Sequence, residues 1–350
     1  MHPFRRTAAL GAASTTTLAV ALGTTVAVAG PVSAHEAWFV EHPDGFPVDP
    51  SALLSPLTLA GMIAAVVVAV LWRVAAARLP RPELVVLRPL ERLVPWVPRL
   101  LGVHLGLSLL ALTLTGSVLD PSVQAPGGAA GLAVLLPQVV VGALLVLGIA
   151  VRAAALGVVA AGPVLVVLHG PRSLLLCAVL VGIALFLAIV PPQRARGGAA
   201  DPCLHGLGPA VLLLRTGAAV SLVSLAVVEK LANPAMGVAM LEQQPLLNLL
   251  SPVGVSAEQF VVLAGCVELL FGLLVLSGAA PQVVGLVAAV PFTASLALFG
   301  TTELIGHLPV YGVLLAFVVL GSSPATAGTL RDLPGRRLSA APAHEPSTAS

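Results

Sequence analysis

The chain contains 350 residues, of which 58% are hydrophobic and only 9% are charged. Soluble globular proteins carry about 25% charged residues, so this composition excludes a soluble domain and indicates a membrane protein. The 17 basic and 15 acidic residues nearly balance, and no basic stretch with interleaved aromatic residues predicts a nucleic-acid partner. Long apolar segments, without the alternation of outer-membrane strands, predict transmembrane helices in a lipid bilayer.

Residues 1–34 are typical of a secretory signal. Two arginines precede an apolar run, and Val32–Ala34 is a small-residue cleavage site. An uncleaved signal anchor is the alternative, and both place His35 outside the cytoplasm. Residues 35–52 then form a polar extracytoplasmic segment.

Nine apolar spans are expected after this segment, in an all-α, polytopic transmembrane fold. They are predicted at residues 53–72, 100–118, 131–150, 153–168, 173–190, 209–229, 259–278, 281–300 and 303–321. With the N-terminus outside, most arginines fall in cytoplasmic segments, including the basic loop that completes region 53–97. The positive-inside rule therefore predicts a multi-pass protein of the cell membrane with a cytoplasmic C-terminus. We expect its tail, residues 322–350, to be disordered because it is rich in Ala, Pro and Ser.

Similar stretches of sequence indicate an internal repeat. The matching pairs are Gly142–Gly148 with Gly272–Gly278, Gly157–Pro163 with Gly285–Pro291, and Leu119–Pro121 with Ala232–Pro234. The first two pairs have nearly the same offset along the chain and the third has a shorter one, a difference that loop insertions explain. Chance similarity between apolar segments is the alternative. The repeat predicts one N-terminal span followed by two four-helix units of the same orientation, residues 98–191 and 208–321.

Ionisable residues of the second unit correspond to uncharged residues of the first. The pairs are Glu268 with Gln138, Glu303 with Ser173, His307 with Cys177, and Lys230 with Ser117. This difference indicates that the first unit is a packing partner and that the second unit carries any chemistry.

Glu268, Glu303 and His307 are the candidate catalytic residues, because ionisable groups inside a membrane are costly and usually mark function. Glu268 is expected deep in its span, either as a proton carrier or as a hydrogen bond between helices. Glu303 and His307 are four residues apart and share a helical face, although Gly306 and Pro309 allow a local break. Their spacing suits a carboxylate that orients an imidazole, a proton relay, or two metal ligands.

Glu229, Lys230 and Asn233 are candidate ligand-binding residues at the outer end of the sixth span. Lys230 is the only lysine in the chain, and its alternative role is an interfacial side chain that reaches for the headgroups. The topology brings these residues and the three catalytic candidates toward the external half of the membrane. A single external-facing polar pocket is the expected arrangement.

His35 and His42 are candidate metal ligands. A mature N-terminal His35 would offer an amine and an imidazole, which suit copper. The alternative is that a histidine at this position reflects only where the peptidase cuts.

The second unit resembles the DoxX family of four-span bacterial membrane proteins. The resemblance is carried by Leu214–Gly217, Glu229–Pro234, Glu268–Gly272, Phe299–Gly300 and Glu303–Pro309, and it covers about a third of the chain. It implies a four-helix bundle and an association with membrane redox, since relatives include a subunit of thiosulfate:quinone oxidoreductase and an accessory of mycobacterial oxidant defence. The duplicated unit, the extra span and the exported N-terminal segment depart from the family pattern.

Three functions follow from these patterns, and they leave open whether the chain is an enzyme. The first is a redox-associated protein of DoxX type, with a quinone-like or small polar ligand in the pocket and a membrane or extracytoplasmic redox protein as partner. The second is a non-catalytic membrane subunit that anchors other proteins. The third is a permease for a small solute or for copper.

Overall fold

The computed structural model describes residue 40 and the ranges 45–79, 83–171, 173–192 and 206–331. The predicted signal peptide, His35 and His42 lie outside these residues. Within them the chain is helical, and an isolated β-bridge joins Ser117 to Gln124. The all-α prediction is therefore confirmed for the part of the chain that is described.

The α-helices of the described ranges are, in chain order, α1 (Pro56–Arg78), α2 (Val97–Leu114), α3 (Gly128–Leu147), α4 (Val151–His169), α5 (Ser173–Leu176), α6 (Ala178–Ile189), α7 (Leu207–Leu225), α8 (Pro234–Gln243), α9 (Ala257–Ser277), α10 (Pro281–Phe299), α11 (Thr301–Ser322) and α12 (Pro324–Arg331). A π-helical segment, Ala226–Leu231, extends α7. Helices of the 3₁₀ type occupy Pro50–Leu54, Val85–Trp96, Pro245–Leu247 and Ser251–Val253.

Each of the nine predicted spans overlaps a helix of the described structure. Seven helical stretches there are long and apolar enough to cross a membrane, and shorter apolar helices occupy Ala178–Ile189 and Pro281–Leu296. The fifth predicted span is broken at Cys177, between α5 and α6. In contrast, α11 runs without a break through Gly306 and Pro309, so its first turns keep one helical face. These are the helices of a multi-pass membrane protein.

Local sequence explains where the helices begin and end. Ser55 accepts a hydrogen bond from Thr58 N at the start of α1, and Ser256 forms a capping box with Gln259 at the start of α9. Gly148 ends α3 in the left-handed conformation, which costs glycine little because it has no Cβ atom.

The alternating helices place different charges at the two ends of the bundle. One end, here called the arginine end, contains Arg73, Arg99, Arg152 and Arg215, which donate to backbone carbonyls at helix termini. The opposite end, here called the acidic end, contains Asp49, Asp120, Glu229, Glu258 and Glu303. The helix order that separates these charges is the one that the span prediction expects.

Helices of the two predicted units pack on one another. Within the units α2 packs against α3 and α7 against α9, and between them α6 packs against α7 and α11 against α2. Gly217 on α7 allows the closest approach, since a Cβ atom there would lie 2.7 Å from the Cα of Gly182 on α6. Small residues bring membrane helices together in this way because van der Waals contact, rather than water exclusion, drives their packing in lipid.

The N-terminal helix α1 packs on the second unit. Its stripe of Gly61, Ala65 and Ala69 faces α9, where Gly61 lies against Cys266. The remaining surface of α1 is mostly exposed and apolar. This distribution suits a helix with one protein-facing side and one lipid-facing side.

Residues Pro324–Arg331 form helix α12, where the sequence predicts a disordered tail. Arg215 is completely buried and donates to Leu330 O at 2.6 Å. Arg73 donates to Arg331 O at 3.2 Å, and Arg331 forms a salt bridge with Glu83. These contacts hold the short helix against the arginine end, so the prediction is wrong for this part of the tail, while residues 332–350 lie outside the described ranges.

Candidate functional site

The candidate catalytic residues Glu303 and His307 form a buried pair at the acidic end. His307 Nδ1 lies 3.2 Å from Glu303 Oε1, one helical turn apart on α11. Their side chains are 2% and 8% exposed, so the contact is almost removed from water. Phe292 of α10 packs against the imidazole, with ring centroids 4.6 Å apart. This geometry fits a carboxylate that orients an imidazole, as the spacing predicts.

A small cavity adjoins this pair. It is lined by Ser108, Leu112, Leu119, Asp120, Pro121, Leu176, Val179, Leu180, Ser221, Leu225, Ile305, Gly306, His307, Pro309 and Val310. The space open to the centres of water molecules is about 40 Å³. A water needs roughly 10–15 Å³ by this measure, so the cavity has room for about three.

The first unit supplies much of the cavity wall, through residues of α2, α5, α6 and the loop that follows α2. The prediction that this unit only packs against the second is therefore wrong for the cavity. Among the polar groups that line the space are the hydroxyl of Ser108, which contacts Ile305 O at 3.5 Å, and the carboxyl of Asp120.

Asp120 is the site residue that the sequence analysis did not single out. It lies in the loop between α2 and α3, where it accepts hydrogen bonds from the backbone and the hydroxyl of Ser122. Burial raises the pKa of Asp120 above its ordinary value, and the hydrogen bonds from Ser122 oppose the shift. Its correspondence with Asn233 in the internal repeat was the available signal, but neither residue has a charged neighbour in sequence.

Lys230 and Glu268 form the second ionic contact among the predicted residues. Lys230 Nζ lies 3.0 Å from Glu268 Oε2, with side chains 16% and 18% exposed. This pair joins the end of α7 to the middle of α9. Glu229 precedes Lys230 in the π-helical segment and is completely buried.

Asn233 binds the backbone at the acidic end. Its amide nitrogen donates to Phe46 O at 2.9 Å, and its amide oxygen accepts from Met236 N at 3.4 Å. It thereby starts α8 and holds the segment that leads into α1. The ligand-binding role of Asn233 stays a prediction.

The structure thus brings Glu303 to His307 and Lys230 to Glu268, as two separate contacts. The cavity lining found in the described ranges includes His307 but not Glu229, Lys230, Asn233 or Glu268. Within those ranges, no group of three or more His, Cys, Asp and Glu side chains is arranged to hold a metal ion. The predicted copper ligands His35 and His42 lie outside the described residues.

No family model matches the sequence, and no curated protein or solved structure matches it either.

Proposed function

We propose that the chain is a redox-associated integral membrane protein of DoxX type, in which Glu303 and His307 exchange protons at the acidic end of the bundle. The observation that carries this proposal is the buried contact of 3.2 Å between the two side chains, beside a cavity of water size. The imidazole is the side chain whose ordinary pKa lies nearest neutrality, so it can gain and lose a proton at physiological pH. The carboxylate of Glu303 orients the imidazole and stabilises its charged form.

The size of the cavity separates proton exchange from binding of the electron carrier. Pockets for small organic ligands measure about 300–1,000 Å³, far more than the space beside His307. A quinone ring would therefore contact the protein outside this cavity, at its lipid-facing surface or on a partner protein. Quinone reduction takes up protons together with electrons, and the Glu303–His307 pair would supply or accept them.

Calorimetry tests this proposal on the full chain in lipid nanodiscs. Menadione is titrated into the protein in two buffers of different ionisation enthalpy, and the difference in heat gives the number of protons exchanged on binding. We expect wild-type protein to exchange protons, and Glu303→Gln and His307→Gln to bind menadione with less exchange. The matched control is Glu258→Gln, an exposed acid at the same end. Absence of menadione binding, or equal proton exchange in all four proteins, would refute the proposal.

The second candidate is a membrane anchor for another protein, and the loop between α8 and α9 favours it. Leu246, Leu249 and Val253 are between 76% and 81% exposed on this loop at the acidic end. A photo-crosslinking residue at position 249 tests the candidate in native membranes. One discrete protein adduct would support an anchor, whereas lipid adducts alone would show that the loop rests on the bilayer.

A further inference from the structure

The cavity beside His307 is lined by pairs of residues that obey the internal repeat. Ser108 with Ser221 and Leu112 with Leu225 have the same offset along the chain as Leu119 with Ala232. The pairs on the opposite walls have the offset of Gly142 with Gly272, and they are Leu176 with Gly306, Val179 with Pro309, and Leu180 with Val310. Equivalent residues of both units thus meet around one space.

Packing between the units follows the same relation. The first long helix of each unit lies against the last helix of the other, α2 against α11 and α7 against α6. Gly312 on α11 faces His104 on α2, and Gly182 on α6 faces Gly217 on α7. In the repeat, Gly312 is the equivalent of Gly182, and Gly217 is the equivalent of His104. An exchange of equivalent contacts is what a twofold relation between two units produces.

Backbone geometry and polar contacts repeat as well. The equivalent residues Ala150 and Ala280 both have positive φ, 47° and 46°, although alanine rarely adopts that conformation. Gln138 Nε2 donates to Ser117 O at 3.0 Å, and the equivalent residues Glu268 and Lys230 approach at 3.0 Å. In both units, this polar contact joins the end of the first long helix to the next long helix.

The two units close the cavity with different side chains. The first unit contributes Asp120, and the second contributes His307 with Glu303 behind it. The ionisable groups on the elements around this part of α11 are Asp120, His104, Cys177, Glu229 and Glu303. Of these, Asp120 is the one that shares the cavity lining with His307.

We infer that the cavity is a shared site on a pseudo-twofold axis between the units, and that it holds about three water molecules that carry protons between His307 and Asp120. This inference rests on the proposed function and names the residue with which the buried pair exchanges its proton. In the transfer, one N–H bond of the imidazolium breaks and one O–H bond forms on the carboxylate of Asp120. Both groups become neutral, and no electron moves.

The environment of Asp120 suits this role. Burial raises the pKa of Asp120 toward that of an imidazole, which brings the two proton affinities closer together. The loop that carries Asp120 lies at the acidic end and leaves this residue partly exposed. A proton that reaches Asp120 therefore has a path to solvent that the buried Glu303 lacks.

Proton exchange at His307 tests the inference directly. The full chain is labelled with ¹⁵N-histidine in nanodiscs, and the signal of His307 is identified by its loss in His307→Gln. Exchange of its imidazole N–H with water is then compared between wild type and Asp120→Asn. Asparagine keeps an oxygen that can accept from Ser122, so the loop conformation is retained. Since a positioned acid or base accelerates proton transfer about 10²–10⁴-fold, we expect at least a tenfold slower exchange.

Two further variants separate the possible results. Asp120→Glu restores a carboxylate and should recover most of the rate, and Glu258→Gln should exchange like wild type. If Glu303→Gln slows the exchange but Asp120→Asn does not, the buried pair stands and the route through the cavity is wrong. If neither variant changes the rate, the proposed function and this inference are both overturned.

Discussion

The contact between α6 and α7 can be tested by Gly217→Ala. A Cβ atom at this position would lie 2.5 Å from Ala178 O and 2.7 Å from the Cα of Gly182. Both neighbours are backbone atoms, so no side chain can rotate to make room. The two helices, and with them the two units, must move apart.

The size of the effect follows from two opposing contributions. Alanine stabilises a helix interior by about 0.5–1 kcal/mol relative to glycine. Overpacking costs typically about 1–3 kcal/mol, and a clash with rigid backbone belongs at the upper end of that range. We therefore expect Gly217→Ala to lower the free energy of unfolding by about 1–2 kcal/mol.

Gly208→Ala is the matched control, because it lies on the same helix and a Cβ atom there would meet nothing within 4 Å. Thermal unfolding in mild detergent, followed by circular dichroism, compares the two variants. The helix-propensity gain is common to both, so their difference isolates the contact between the units. Equal stability of Gly217→Ala and Gly208→Ala would refute the close packing of α6 on α7.

Two other predictions concern the ends of the bundle. Arg215→Met removes the donor of two backbone carbonyls and should loosen α12, which trypsin cleavage after Arg331 would report as faster proteolysis; Arg78→Met, an exposed arginine at the same end, should leave the rate unchanged. Because burial raises the folded-state pKa of Asp120, its stabilising contribution is complete below about pH 4 and is lost as the pH rises through the raised value. The free energy of unfolding measured across this range should therefore fall less steeply with pH in Asp120→Asn.

The sequence predicted the helices well because each apolar span must satisfy its own backbone hydrogen bonds in lipid, and this requirement is written into local composition. The pairing of Glu303 with His307 followed from a spacing of one helical turn. The contact between Lys230 and Glu268 depends on the packing of α7 against α9, which no local pattern encodes. Asp120 was missed for the same reason, since a loop acid acquires its surroundings from distant helices.

Helix α12 shows a second limit of composition. A segment rich in Ala, Pro and Ser is typical of disorder when it has no partner. Here the partner is a buried guanidinium far earlier in the chain, Arg215, which binds a carbonyl at the end of the helix. A tertiary hydrogen bond thus decides the structure of a segment whose own sequence is indifferent.

The correspondence between Gln138 and Glu268 yields the last prediction, because each residue can be given the side chain of the other. Glu268→Gln removes one partner of an ion pair that is partly exposed, and such pairs contribute about 0–1 kcal/mol. We therefore expect a small loss of stability. Glutamine is also the residue that the first unit uses to join the equivalent helices.

The reverse change, Gln138→Glu, should be far more costly. Gln138 is buried, and its amide nitrogen donates to Leu109 O, to Thr113 Oγ1 and to Ser117 O. A carboxylate would face these oxygens without a donor, and each buried group left unsatisfied costs about 1–3 kcal/mol. Unfolding of both variants in the same detergent measures the difference. A Gln138→Glu protein as stable as Glu268→Gln would contradict this assignment, because it would require a donor or cation near Gln138 that takes the part of Lys230.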